Sequence, residues 1–292
     1  MWTGRARAPR RHVAPEVRPL GRADRAAVLA FVEADPVRDT FIASRVLHDA
    51  VLGVAGWGPL WGAFDAGGRL TGVLHLGPNL VPAVARDDAL TALASVATGP
   101  APTRMLVGER GAVERLWDLV AATYPPPREV RERQFVYRVT TDDLRVPDDA
   151  AAASVATRAD EEEVLAASAA MHLEEMGEDP MNTDPAGYRR RVRALIDRGW
   201  TFVHREGGRL AFKMDIGCAA TSTAQIQGVY TPPAFRRRGV GTAGMAACCV
   251  LALRQYPVLS LYVNDFNVPA VSLYERLGFR RMPYDFATVL LS

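Results

Sequence analysis

At 292 residues the chain is long enough for two ordinary domains, and its 49% hydrophobic and 23% charged residues exclude global disorder. A formal charge of +2 gives no electrostatic case for a nucleic-acid partner. Cys218, Cys248 and Cys249 are odd in number with two adjacent, so neither a disulfide framework nor a C-x-x-C metal pattern can be drawn, and no metal is expected.

The Arg-rich stretch from Met1 to Arg11 is not followed by the apolar run of a signal peptide, and no segment is long enough to span a bilayer. Residues 1–16 therefore read as a disordered basic tail, and a reducing cytoplasm is the expected compartment. A short extended segment at Val17 to Leu20 leads to a helix capped by Asp24, with Val28, Leu29, Phe31 and Val32 on its core side. A second helix is predicted over Thr40 to Leu52. Trp57 to Leu76 reads as a hairpin turning at Asp65-Ala66-Gly67-Gly68. Gly77 to Pro82 reads as a loop, followed by a helix at Asp88 to Ala97, a strand at Arg104 to Val107, a helix at Val113 to Ala122 and a strand at Phe135 to Val139.

The acidic, Pro-containing stretch from Thr141 to Ala153 is predicted to link two domains, 17–140 and 154–292. Beyond it the grammar returns. Arg22-Ala23-Asp24 before Val28-Leu29-Ala30 recurs as Arg158-Ala159-Asp160 before Val164-Leu165-Ala166, and Gly67-Gly68-Arg69-Leu70 recurs as Gly207-Gly208-Arg209-Leu210. Two matches in the same order point to a duplicated domain. The second half reads as helices at Glu161 to Met176 and Pro185 to Arg198, a hairpin over Trp200 to Ile216, a strand at Ala224 to Tyr230, a helix at Val240 to Gln255, a strand at Val258 to Asn264 and a helix at Val268 to Leu277. A last strand, Phe286 to Leu291, is expected to close the sheet.

Between the strand at Ala224 and the helix at Val240 lies Y-T-P-P-A-F-R-R-R-G-V-G-T, residues 230–242. Glycines let several backbone N–H groups share one space, and a helix start adds unpaired donors and the positive end of its dipole, so the stretch suits an anion such as phosphate. Gly239, Gly241 and Gly244 also satisfy G-x-G-x-x-G, with Asp265 at the end of the next strand. A dinucleotide fingerprint, however, needs its strand to run straight into the first glycine, and here Thr231 to Arg238 intervene with two prolines. No G-x-x-x-x-G-K-[ST] is present, which excludes a P-loop.

The stretch resembles the acyl-CoA loop of the GNAT acyltransferases, Q/R-x-x-G-x-G/A, here Arg236-Arg237-Arg238-Gly239-Val240-Gly241. Downstream, Asn264 to Phe279 resembles the N-x-x-A-x-x-L-Y-x-x-x-G-F block of the same family. The resemblance implies an α/β protein of two tandem GNAT-like domains, each a mixed, mostly antiparallel sheet flanked by helices. It further implies that N–H groups from Arg237 to Thr242, with Arg236, Arg237 and Arg238 adding charge, hold the pyrophosphate of acetyl-CoA. Val229, Tyr230 and Thr231 fall on the family's splayed strand beside the pantetheine arm, Asn267 falls at a cofactor contact, and Tyr274 falls at the general acid. The implied activity is direct transfer of an acetyl group to an amine on a small molecule or peptide, without nucleic acid or membrane as partner. No carboxylate stands out as base: Gln225 and Gln227 occupy the strand before the loop, while Glu174, Glu175, Glu178, Asp179 and Asp215 are open candidates and His172 and His204 are unassigned. A non-catalytic acyl-CoA-binding module is the alternative.

The first half lacks these parts. Gly77-Pro78-Asn79-Leu80-Val81-Pro82 stands where the loop is expected, and Leu116-Trp117 stands where the second half has Leu273-Tyr274. This reads as a domain without a cofactor site that packs on the active half and shapes its acceptor cleft.

Overall fold

The computed structural model describes residues 14–48, 59–98, 103–147 and 152–291. The first half runs through β1 (Glu16–Pro19), α1 (Arg25–Val32), α2 (Thr40–His48), β2 (Leu60–Phe64), β3 (Leu70–Leu76), β4 (Asn79–Val84), α3 (Asp87–Ala94), β5 (Met105–Glu109), α4 (Arg110–Val120) and β6 (Glu129–Val139). The second half follows with β7 (Ala153–Val155), α5 (Glu161–Met176), α6 (Pro180–Thr183), α7 (Pro185–Asp197), β8 (Thr201–Glu206), β9 (Arg209–Ala219), β10 (Thr223–Tyr230), α8 (Val240–Leu253), β11 (Val258–Asn264), α9 (Val268–Arg276) and β12 (Arg280–Leu290). Apart from the added α6, a short 3-10 turn at Pro233–Phe235 and one at Ala121–Thr123 found only in the first half, the second half repeats the element order of the first.

The repeated sequence motifs perform the same local tasks in both halves. Arg22–Asp24 and Arg158–Asp160 are both 3-10 turns that lead into a helix. Asp24 does not cap α1 by a side-chain bond as expected; its carboxylate accepts from the Gly21 amide at 2.8 Å, as Asp160 accepts from the Thr157 amide at 2.7 Å. The two hairpins share a register as well. Val73 pairs with Gly62 and His75 with Leu60, as Lys213 pairs with Val203 and Asp215 with Thr201.

All twelve described strands form one sheet, in the order β1-β2-β3-β4-β5-β12-β6-β11-β10-β9-β8-β7. The final strand therefore does not close an edge as the sequence suggested. It lies between β5 and β6, and β6 in turn lies against β11, so the halves exchange their last strands. The lengths allow this: β6 and β12 have 11 residues each against 5 in β5, enough to satisfy neighbours along both edges. The stretch read as a linker is anchored too, since Arg145 N donates to Leu277 O at 2.9 Å and a Cβ on Gly278 would lie 2.0 Å from Asp143 O. Its last residue already belongs to β7. The outer ends of the expected tail, of the second helix and of the first hairpin (1–13, 49–52 and 57–58) lie outside the described residues, as do 148–151 of the linker.

Gly77 and Pro78 are a hairpin turn, not the start of a long loop, and Asn79–Val84 is strand. Pro82 is tolerated there because it sits opposite Leu74 in a pair whose nitrogen faces away from β3, the flanking Ala85 N donating to Thr71 O at 3.0 Å. On its other side β4 pairs with β5 only at Asn79 and Leu80, so the missing N–H leaves no ladder bond broken.

Strand alternation in β9 divides the second half's core. Phe212, Met214 and Ile216 pack under α8 with Met245, Cys248 and Cys249, and the three cysteines are buried free thiols. Lys213 and Asp215 face the opposite side, toward α5. From the first half, α2 braces this region: Thr40 Oγ1 lies 3.0 Å from Thr223 Oγ1, Ser44 Oγ accepts from the Ala219 amide at 3.2 Å, and His48 meets the Trp200 ring edge-on.

Candidate active site

The site begins where two parallel strands part. β10 and β11 pair only over Thr223–Gln225 with Val258–Ser260, and beyond that they separate. Between the pairs Gln227 with Asp215 and Tyr230 with Lys213, β10 carries one residue more than β9, a bulge in which Gly228 adopts φ +62°. A cleft of about 780 Å³ opens at the gap, walled by α5, α7, β10, β11 and the start of α9. The first half contributes Glu129, Arg131 and Gln134 of β6 to the same wall.

The local sequence explains each wall. α5 starts with three glutamates that suit the positive end of its dipole and stops at Gly177, φ +72°. Arg131 crosses from β6 to that end, donating to Glu175 O at 3.2 Å and to Glu129 Oε1 at 2.7 Å. α7 starts at Pro185 with Asp184 capping the Gly187 amide at 2.8 Å. α9 starts the same way, with Asn267 accepting from the Ala270 amide at 3.3 Å.

Of the cofactor contacts and the acid expected from sequence, Val229, Asn267 and Tyr274 line the cleft. Tyr274 is buried, its ring 5.5 Å from Phe279 and 6.3 Å from Tyr137. Its hydroxyl makes no hydrogen bond among the described residues. Burial first, then the negative charge of Glu175, pushes this phenol well above its ordinary value, so it keeps its proton at neutral pH. Tyr230 instead turns its ring into the core with Val164 and Leu165 and donates to Glu174 at 3.1 Å.

The loop from Thr231 to Thr242 sits beside the gap rather than in its lining, with Leu273 of α9 3.8 Å from where a Cβ on Gly241 would be. Arg237 is the one described non-glycine residue at positive φ, +61°, and Gly239 follows at +80° as the N-cap of α8. Among the described residues no acceptor lies within reach of the amides of Arg237, Arg238 and Gly239, and Val240 and Gly241, in the first turn of α8, have none by helix geometry. The Thr242 amide is committed to Gly239 O at 3.0 Å, which removes it from the expected donor set. Open space surrounds the point where a Gly239 side chain would begin. The arginines also divide: Arg236 is held by Thr231 O at 2.7 Å and by both Glu174 oxygens at 2.8 and 2.9 Å, and Arg238 reaches Glu206 at 3.2 Å. Arg237 alone of the three has no side-chain partner among the described residues. A run of uncommitted amides with open space at Gly239, beside one uncommitted guanidinium, suits a pyrophosphate.

The candidate bases separate by what they already hold. Glu174 is taken by Arg236 and Tyr230, Glu178 pairs with Arg128, and Asp179 caps the Met181 amide at 2.9 Å. Asp215 accepts from Lys213 Nζ at 2.7 Å and Thr201 Oγ1 at 2.9 Å. His204 is bound to Ala152 O at 2.8 Å, outside the cleft lining. Only Glu175 keeps an unpartnered carboxylate among these. Solvent reaches it, but the cleft walls crowd it, and desolvation raises its carboxyl above the ordinary range despite Arg131 and Lys213 nearby. His172 also lines the cleft, edge-on to Tyr188 and close enough to Arg191 that burial and that charge hold it neutral.

Sequence reading missed Arg131, Gln134 and Lys213. For the first two no local signal exists, since only the strand exchange brings β6 here. Lys213 carried one: it is the sole lysine in a chain of 34 arginines.

A model of the acetyltransferase (GNAT) family matches residues 114–279. The chain belongs to that family. A second model, a domain of unknown function, matches residues 58–164. The search of curated proteins gives no match. Among solved structures the GNAT chain resembles a Drosophila protein at TM-score 0.67 and 15% identity, covering 94% of this chain and 98% of that one. It also resembles a GNAT-family acetyltransferase from Colwellia psychrerythraea at TM-score 0.55 and 12% identity, covering 95% and 100%. A tandem GNAT protein from the clavulanic acid biosynthesis pathway superposes at TM-score 0.53 and 15% identity, covering 94% and 98%. At these identities the likeness is one of fold, and it agrees with two tandem GNAT-like halves. Among the described residues, no helix is long and apolar enough to cross a membrane and no cluster of three or more His, Cys, Asp or Glu is placed to hold a metal ion.

Proposed function

We propose that this cleft is the active site of an N-acyltransferase that moves an acetyl group from acetyl-CoA to the amine of a small molecule or peptide, by direct transfer within a ternary complex. The observation that carries the reading is the parting of β10 from β11 beside the bare amides at the start of α8. One end offers a phosphate cradle, and the other a narrow gap with a protonated phenol and a free carboxylate.

In this reading the amides of Arg237 to Gly241 and the Arg237 side chain hold the pyrophosphate. The backbone of Val229 to Thr231, with Asn267 opposite, guides the pantetheine arm into the gap. The donor supplies an activated thioester. Glu175 takes a proton from the acceptor ammonium, so that the amine nitrogen can form its bond to the acetyl carbon as the carbon–sulfur bond breaks. Tyr274 gives its proton to the departing thiolate, and the second proton that the nitrogen loses on becoming an amide restores the phenol. Glu175 is preferred over His172 because its charge is felt at Tyr274, whereas His172 faces Tyr188 and Arg191.

The test is calorimetric titration of the full chain with CoA and acetyl-CoA, followed by thiol release across a panel of amines. Binding at one site per chain with amine-dependent thiol release supports the enzyme. Binding without release across the panel would favour an acyl-CoA-binding module, and no binding would sink both.

A further inference from the structure

Lys213 is fully buried, at 0% exposure, directly behind the bulge in β10. Its ammonium donates to Asp215 Oδ2 at 2.7 Å and to Gly228 O at 3.1 Å, while Thr201 Oγ1 occupies the other oxygen of Asp215 at 2.9 Å. A Cβ on Gly228 would lie 2.4 Å from Asp215 Oδ2 and 3.2 Å from Lys213 Nζ, so glycine is needed both for its φ of +62° and for this close approach. Burying a lone charge is costly, and burying an ion pair is often no more stabilising than apolar packing.

The first half shows what the fold itself requires at these positions. By hairpin register the counterparts of Lys213, Asp215 and Thr201 are Val73, His75 and Leu60. Val73 and Leu60 are as buried as their partners, 0% and 1% exposed, and β4 runs beside β3 without a bulge. An apolar residue therefore satisfies the architecture. Lysine, ion pair and bulge occur together only in the half that carries the cleft.

A consequence follows from peptide geometry. Gly228 O and Val229 N–H belong to one trans peptide, so they point in opposite directions. With the oxygen drawn to Lys213 on the β9 side, the Val229 N–H points to the side that β11 has left. A charge on the carbonyl also polarises the unit and strengthens the N–H as a donor. We propose that Lys213 is a positioning residue that fixes and polarises the Gly228–Val229 peptide so that the Val229 amide donates to the carbonyl oxygen of a thioester in the gap. This rests on the acyltransferase reading and adds to it the buried ion pair that holds the donor peptide in place from behind.

The test uses acetyl-CoA labelled with ¹³C at the acetyl carbonyl and infrared difference spectroscopy on the full chain. Bound to the wild-type protein, the carbonyl stretch should lie below its value in water. In Lys213→Met it should return toward that value, kcat should fall about 10-fold or more, and CoA affinity should stay within about 2-fold. A merely structural lysine would leave the carbonyl band of a folded variant where it was. An unshifted carbonyl in wild type overturns the inference without any variant, as does a folded K213M with wild-type kcat. Absence of acetyl-CoA binding would overturn the acyltransferase reading and this inference together, whereas binding with an unshifted carbonyl would overturn this inference alone.

Discussion

Helices α3 and α8 occupy the same place in the two halves, each following the fourth strand, yet their first turns have opposite character. α8 is reached through a nine-residue loop and begins at Gly239 with uncommitted amides. α3 follows β4 after only Ala85 and Arg86 and begins with Asp87 and Asp88. Asp88 accepts from the Ala89 amide at 2.9 Å and pairs with Arg86 at 2.6 Å. Two carboxylates at a helix start answer its dipole internally and repel a phosphate, so α3 gains its own stability from the feature that α8 leaves unanswered within the described residues. The first half's missing loop is thus a shortened connection ending in acid, not the Gly77–Pro82 segment that the sequence suggested.

The sharpest way to break this contrast is to give α8 an acid of its own. Gly239→Asp enters open space, and aspartate tolerates the left-handed backbone and is a good N-cap. The variant should keep its thermal stability and lose about 100-fold or more in CoA affinity by calorimetry, since an added charge at about 4 Å opposes each phosphate charge by a few kcal/mol. Wild-type stoichiometry should be one CoA per chain, and a second site in the first half would undo the comparison.

Next in size are the proposed proton-transfer groups, Glu175 and Tyr274. Glu175→Gln should lower kcat about 100-fold. Because burial raises the Glu175 carboxyl, the base is lost as pH falls through that raised value, so kcat/KM should climb with pH on an acid limb above the usual carboxylate range. The limb should vanish in E175Q and survive in His172→Gln; the reverse would transfer the role to His172. Tyr274→Phe should cost about 10-fold in kcat with CoA affinity unchanged, and the raised phenol predicts no loss of activity below pH 10 from its ionisation.

How much of this was legible depended on how local each feature is. Gly239, Gly241 and the tyrosine of Leu273-Tyr274 are constrained by short-range geometry, so the proposed phosphate loop and the acid candidate could be picked out from their neighbours. The repeated Arg-Ala-Asp and Gly-Gly-Arg-Leu motifs gave the duplication for the same reason. The strand exchange could not be read, because Phe286 to Leu290 carries the same buried, mostly apolar run whether it borders β11 or β5. Glu175 could not be chosen from four neighbouring acids until Arg236, Arg128 and the Met181 amide had claimed the other three. Pro82 misled because a proline within an apolar run argues against a strand, unless its nitrogen faces an open side. Lys213 was visible as the only lysine, but its meaning needed the bulge across from it.

The smallest expected effect concerns how each helix sits on the sheet. In the first half the glycine is on the strand: a Cβ on Gly72 would lie 3.1 Å from Ala89 Cβ and 3.2 Å from Leu93 Cδ1 of α3. In the second half the hairpin position equivalent to Gly72 is Phe212, and the glycine has moved to the helix, where a Cβ on Gly244 would lie 2.6 Å from Phe212 Cγ. Gly244→Ala should therefore overpack this contact, costing about 1–3 kcal/mol, offset by about 1 kcal/mol from the better helix propensity of alanine. The net loss, on the order of 1 kcal/mol, should appear as a lowered melting temperature. Phe212→Leu removes the ring and should cost about 1 kcal/mol alone. If the two halves have solved one packing problem by opposite placement of the small residue, the double variant should be less destabilised than the sum of the singles; strict additivity would mean that Gly244 and Phe212 are not a matched pair.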